Sequence, residues 1–329
     1  MTAALRPMNL GEILDRSFSL YRQRFWLFAG LAALPALAIL SLHAADLVWL
    51  HSDQWVHSRD QGQAAVIGFL RWLVYVHISS FAGCLFFPAY VRATSATVFE
   101  ERVSIRASLR FALARWRGYL WIAILKITAV LVIPELLAFG AMIVAVIVLL
   151  MLKTYDTQNM IQLSIVFLVP FAGGIFLICW VGVRTAFMIP AAALEELAGF
   201  KALRRGWKLS RGSGWRIFVA WLMVFLGALA LQLAVYLLLR WFSSFLYLNH
   251  LHWINQQAMY QITYTFYAAI ATLLGPIYPI AVTLLYYDQR VRKEVYDLEK
   301  MMEDAGWNAS AVANAGKEVE VAEAAVVAE

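Results

Sequence analysis

Residues 119–150 read YLWIAILKITAVLVIPELLAFGAMIVAVIVLL, a run in which Lys126 and Glu135 are the only charged side chains. A helix needs about 20 apolar residues to cross a hydrocarbon layer about 30 Å thick, so this stretch reads as a membrane span, and an over-long one. It either tilts or bends at Pro134, which removes a backbone donor in mid-span. Five more apolar runs flank it: Phe25 to Leu47, Val66 to Tyr90, Ile161 to Ile189, Trp215 to Trp241 and Ile262 to Tyr287. Composition agrees. Of 329 residues, 62% are apolar and only 15% charged, far from the quarter that a soluble chain carries.

Whether 119–150 crosses once or twice decides the side of everything downstream, and the basic residues arbitrate. Lys and Arg number four up to Arg24, six in 91–118, seven in 183–216 and five after Tyr287, which makes 22 on alternate sides. The opposite loops carry only Arg59 and Lys153, so the positive-inside rule selects six spans with both termini cytoplasmic. The net charge of +6 is therefore a topology signal and no nucleic-acid face is expected. Apolar sequence begins only near Phe25 and no small-residue cleavage signal follows it, so no removable signal peptide is expected. Cys84 and Cys179 each sit inside an apolar run and read as packing residues.

The chain also repeats itself. Offsets of 95 and then 94 residues align Leu14 to Phe28, Leu109 to Ala123 and Leu203 to Ile217 without gaps. Leu14, Leu109 and Leu203 coincide, as do the small Ser17, Ala112 and Gly206. Arg22, Arg117 and Arg211 coincide, and so do Trp26, Trp121 and Trp215. The fold class expected is an all-α polytopic helical bundle: six transmembrane helices in three pseudo-repeats, about 8–100, 101–196 and 197–300. Each holds one interfacial amphipathic helix and two spans. The membrane domain covers 1–304. Residues 305–329, rich in Ala, Val and Glu without a sustained apolar face, read as a disordered cytoplasmic tail.

Each amphipathic helix shows an apolar stripe: Leu10, Ile13, Leu14, Phe18 and Tyr21; Ile105, Leu109, Leu113 and Trp116; Leu197, Phe200, Leu203 and Trp207. Asn9 with Glu12 forms a capping box at the first. Such helices lie in the cytoplasmic interface, with Trp26, Trp121 and Trp215 at headgroup level and Arg22, Arg117 and Arg211 reaching toward phosphate. The alternative is a cap in which they pack only on one another.

Three quoted segments carry a resemblance: Arg6-Pro7 with Leu10-Gly11-Glu12-Ile13-Leu14-Asp15-Arg16-Ser17-Phe18; Ala202-Leu203-Arg204-Arg205-Gly206-Trp207; and Leu284 to Glu294 with Asp297-Leu298. Together they resemble an uncharacterised family of bacterial integral membrane proteins, similar to the membrane domain fused to some glycerophosphoryl diester phosphodiesterases. The resemblance runs from about residue 6 to residue 300 and implies a bacterial cytoplasmic (inner) membrane protein. It brings no activity. The phosphodiesterase chemistry belongs to a separate barrel with a His-Arg pair, and no His-Arg dipeptide occurs here.

Candidate chemistry is sparse. Lys126 and Glu135 are intramembrane charges, a default functional hypothesis, although nine residues put them on roughly opposite faces of a straight helix. Lys126 is expected to snorkel to the inner interface; Glu135 either binds a cation or proton or holds a neighbouring helix. His51, His57, His250 and His252 are weak metal candidates on the outer side, without a known ligand spacing. His77 reads as a hydrogen-bonded packing residue. No nucleophile elbow, phosphate loop or dinucleotide fingerprint occurs, so no enzyme and no cofactor are expected. The partners expected are membrane phospholipids, with a homo-oligomer or an unknown membrane protein left open. The function expected is lipid-interacting or membrane-organising; the alternative is a small-solute or ion transporter using Glu135.

Overall fold

The structure, a computed structural model, describes residues 7–50, 61–151, 160–248 and 256–294. The described residues are helical, with no strand among them. Five helical stretches are long and apolar enough to cross a membrane: Gly68–Val98, Trp116–Val148, Ile165–Leu194, Gly214–Phe245 and Ile262–Glu294. A bent pair, Leu10–Gln23 with Phe25–Ser41, brings the number to six. The outer histidines His51, His57, His250 and His252, and the tail from 305, lie outside the described residues.

Helix α1 (Leu10–Gln23) starts at the expected capping box: the Asn9 side chain accepts the Glu12 N–H, and the Glu12 carboxylate accepts the Asn9 N–H, each at 2.8 Å. It ends at Arg24 and meets α2 (Phe25–Leu50) at a 90° bend. Helix α3 (Gln61–Val98) leads to α4 (Ile105–Ala114), capped by Ser104, and α4 runs straight into α5 (Trp116–Ile127). A π-helical turn, Thr128–Val132, joins α5 to α6 (Ile133–Met151). The over-long run is thus a single passage. The turn falls just before Pro134, whose ring would clash with the carbonyl four residues back in a regular helix, and the wider winding relieves that clash.

Helix α7 (Met160–Arg184) is followed by the short buried α8 (Met188–Leu194) and by α9 (Gly199–Ser210). Then come α10 (Gly214–Leu248), α11 (Gln256–Leu274) and α12 (Ile277–Glu294). Helix α12 is the axis of the bundle. Its residues from Ile277 to Gln289 are buried, apart from the half-buried Tyr278, by α1, α3, α9 and α10. The other spans turn whole faces outward, among them Leu136, Leu137 and Val144 on α6 and Leu229, Leu233 and Leu237 on α10. Apolar side chains displayed on that scale need hydrocarbon around them.

The short amphipathic helices α1, α4 and α9 gather at one end of this bundle. Met8, just before α1, bonds Asp288, and α9 bonds Glu294, both in the last turns of α12. Ser95 and Phe99, beside the start of α4, pack on Tyr287 of the same helix. Their inward faces are not quite the apolar stripes expected. The buried residues are Ile13, Ser17 and Leu20 on α1, Ser108 and Ala112 on α4, and Ala202, Gly206 and Leu209 on α9. Phe18, Ile105, Leu113, Trp116 and Phe200 are exposed. Small residues among the large ones let each helix lie close on the bundle, while Phe18, Leu113 and Phe200 point away from it.

Gly206 makes the closest approach. A Cβ there would stand 2.7 Å from the Met188 nitrogen and 2.9 Å from the Phe187 carbonyl carbon, and backbone at the start of α8 has nowhere to move. Gly206→Val is expected to destabilise the protein by about 1–3 kcal/mol or more through overpacking. Gly140→Ala, where a Cβ meets nothing within 4 Å, is the control. Thermal unfolding in detergent checks this, and equal melting of the two variants would contradict the packing described.

Candidate functional site

At the end of the bundle shared by α1, α4 and α9 the chain buries an ionic network. The side chain of Asp288 is 0% exposed. Its carboxylate accepts the Met8 N–H at 2.8 Å, Nη1 of Arg216 at 2.5 Å and Nε of Arg292 at 3.0 Å. The same two guanidinium groups donate to the Met8 carbonyl, at 2.6 and 2.8 Å. One residue near the N-terminus, Met8, is therefore held at both its backbone donor and its backbone acceptor by residues more than 200 positions away.

A second cluster lies alongside. Arg205 on α9 donates to both oxygens of Glu195 (2.7 and 2.9 Å) and both of Glu294 (2.5 and 2.6 Å), a doubly bidentate arrangement. Those hydrogen bonds, to Glu294 first and Glu195 second, push the protonation equilibrium of Arg205 further up. Arg290 stands 3.3 Å from Glu294 and 3.6 Å from Glu195, and the Tyr286 hydroxyl donates to Glu195. Lys293 donates to the Leu209 and Arg211 carbonyls at 2.8 and 2.7 Å, closing the C-terminus of α9. The network is a clamp: every carboxylate in it is matched by guanidinium, and none is left to act as a general base. Its members were not among the candidates drawn from the sequence. The i,i+4 spacings Asp288–Arg292 and Arg290–Glu294 were visible there, but their partners on α9 and α10 and at Met8 were not.

Around the clamp stand the residues expected at the lipid interface. Trp26 is 82% exposed, Trp121 50% and Trp215 72%, and Arg22, Arg117 and Arg211 are exposed as well. Two positions after each tryptophan, Phe28, Ala123 and Ile217 are buried. Arg117 lies over Trp116, 5.5 Å from its ring centroid, rather than over Trp121.

The intramembrane charges do not meet. Glu135 pairs instead with His77 on α3, Oε2 to Nε2 at 3.2 Å, and no ion pair joins it to Lys126. His77 Nδ1 faces the Leu73 carbonyl at 2.8 Å, and a carbonyl only accepts, so Nδ1 carries a hydrogen.

The ammonium of Lys126 lies over Phe87, 5.5 Å from the ring centroid, and lines a partly open cavity of about 570 Å³ bordered by α2, α3, α5, α7, α10 and the α11–α12 junction. The π-helical turn supplies Val130 and Leu131 to its wall. Cys84 and Cys179 line it too and are unbridged. Among the described residues no three His, Cys, Asp or Glu side chains come together as a metal-binding group.

No protein-family model, no curated protein and no solved structure matches the chain.

Removing one partner of a buried ion pair leaves the other uncompensated, at about 3–5 kcal/mol. Asp288→Ala is expected to lose stability on that scale, and Arg216→Met with Asp288→Ala to lose less than the two singles combined. Unfolding in detergent measures both, and strict additivity would deny the coupling.

Proposed function

We propose that this chain is a non-enzymatic, multi-pass protein of the bacterial cytoplasmic membrane that binds anionic phospholipid through three interfacial helices, α1, α4 and α9. The observation that carries the reading is the set of exposed Arg and Trp residues, Arg22 with Trp26, Arg117 with Trp121 and Arg211 with Trp215, at one end of the bundle. Tryptophan favours the headgroup level and arginine the phosphates just outside it. Burial at the aligned positions Ser17, Ala112 and Gly206, and again at Phe28, Ala123 and Ile217, supports three pseudo-repeats of one interfacial helix and two spans. The proposal keeps the resemblance to the membrane domain of the phosphodiesterases and assigns no phosphodiester chemistry. Both termini face the cytoplasm in this reading, because the end that carries α1, α4 and α9 also carries most of the basic residues.

A second reading, a small-solute or ion transporter, is favoured by the His77–Glu135 pair, two titratable side chains in contact within the spans. In that reading Glu135→Gln abolishes uptake or efflux and leaves the fold intact.

The deciding experiment is native mass spectrometry of the protein extracted in mild detergent. Each interfacial basic residue contributes about 1 kcal/mol toward an anionic surface, so replacing Arg22, Arg117 and Arg211 by Ala is expected to weaken phosphatidylglycerol retention roughly 100-fold. Retention unchanged by the triple substitution would sink the lipid reading, and proton-coupled flux lost in Glu135→Gln would establish the second.

A further inference from the structure

We propose that the central cavity is a binding site for one long-chain carboxylate, a fatty acid whose headgroup meets the Lys126 ammonium. This site is internal and separate from the surface helices. Three observations lead to it. First, Lys126 lines the cavity beside the Phe87 ring and near the Cys84 thiol, and no carboxylate among the described residues pairs with it. An ammonium that faces an apolar chamber without an acid calls for an anion from outside the chain.

Second, the size fits an acyl chain. At about 570 Å³ the cavity falls within the range of roughly 300–1,000 Å³ typical of sites that take small organic ligands. The walls suit it: apart from Lys126 the polar side-chain groups that line it are the hydroxyls of Tyr90, Tyr278, Ser79 and Ser80, the indole N–H of Trp221 and the two thiols.

Third, the depth fits. Lys126 is five residues beyond Trp121, or about 7.5 Å of helix rise. If Trp121 marks the headgroup level, as the proposed function has it, the ammonium lies below the phosphates, where a fatty carboxylate reaches and a phosphodiester does not. Only this third argument rests on that reading.

The test uses the full chain, purified in a neutral detergent and stripped of lipid, with palmitate as the probe and native mass spectrometry as the readout. One palmitate per chain is expected. Lys126→Ala is expected to weaken it about tenfold, the size of a lost charge-assisted hydrogen bond, and Lys126→Arg to keep it. Hexadecanol, the same chain without the charge, is expected to bind no better to the unmodified protein than to Lys126→Ala. Gly83→Leu guards against misfolding: Gly83 lines the cavity and a Cβ there meets nothing within 4 Å, so this variant is expected to melt normally and lose palmitate. The triple Arg22, Arg117 and Arg211 variant is expected to keep palmitate, so failure of the surface reading and failure of this one are told apart. No palmitate adduct, an adduct indifferent to Lys126→Ala, or Lys126-dependent binding of phosphatidylglycerol in place of palmitate each overturns the proposal.

Discussion

A carboxylate without exposed surface stays charged only if donors surround it, and Asp288 draws its donors from two distant parts of the chain, Met8 and Arg216, and from Arg292 one turn along its own helix. The remainder of the bundle follows from that constraint. Met8 must reach the end of α12, which places α1 there; Arg216 must reach it too, which places the first turn of α10 beside α1. Arg205 does the same for α9 through Glu294 and Glu195. In a membrane, apolar burial discriminates poorly between helix neighbours because lipid is as apolar as leucine. Directional ionic bonds at one end therefore choose which helices adjoin, and small residues such as Gly206 let them close up.

The same end divides its residues between two environments. Small and ionic side chains face the bundle, whereas Trp26, Trp121, Trp215, Phe18, Leu113 and Phe200 face away from it. Arginine accordingly does two jobs at this end. Arg205 and Arg216 are locked to acids inside the clamp, while Arg22, Arg117 and Arg211 are exposed on its rim. Counting basic residues registers both alike, so the count says little about which arginine is available to a ligand.

Deeper in, the π-helical turn before Pro134 shapes two features. It carries the chain past the proline without breaking the span, and its Val130 and Leu131 form part of the cavity wall facing Lys126. Glu135, one residue beyond the proline, turns to His77 on α3 instead of to Lys126. The two charges of the stretch 119–150 thus act in separate surroundings, one beside His77 and one in a chamber lined by no acid.

The sequence by itself determined the helical class, the apolar spans, the capping box at Asn9 and Glu12, and the positions where amphipathic helices adjoin spans. Those are properties of local period and composition, and a helix satisfies its own backbone wherever it lies. It also displayed the segments around Arg205 and Asp288, without disclosing that they touch. Only the tertiary structure decided that Asp288 binds Met8 and Arg216, that Glu135 pairs with His77, that the inward faces of α1 and α4 include Ser17, Ser108 and Ala112, and that Lys126 lines a cavity. Each of these depends on side chains from different helices meeting within hydrogen-bond distance. Spacing along one helix sets the direction in which a residue points, but the groups that stand opposite it are fixed by how the helices pack.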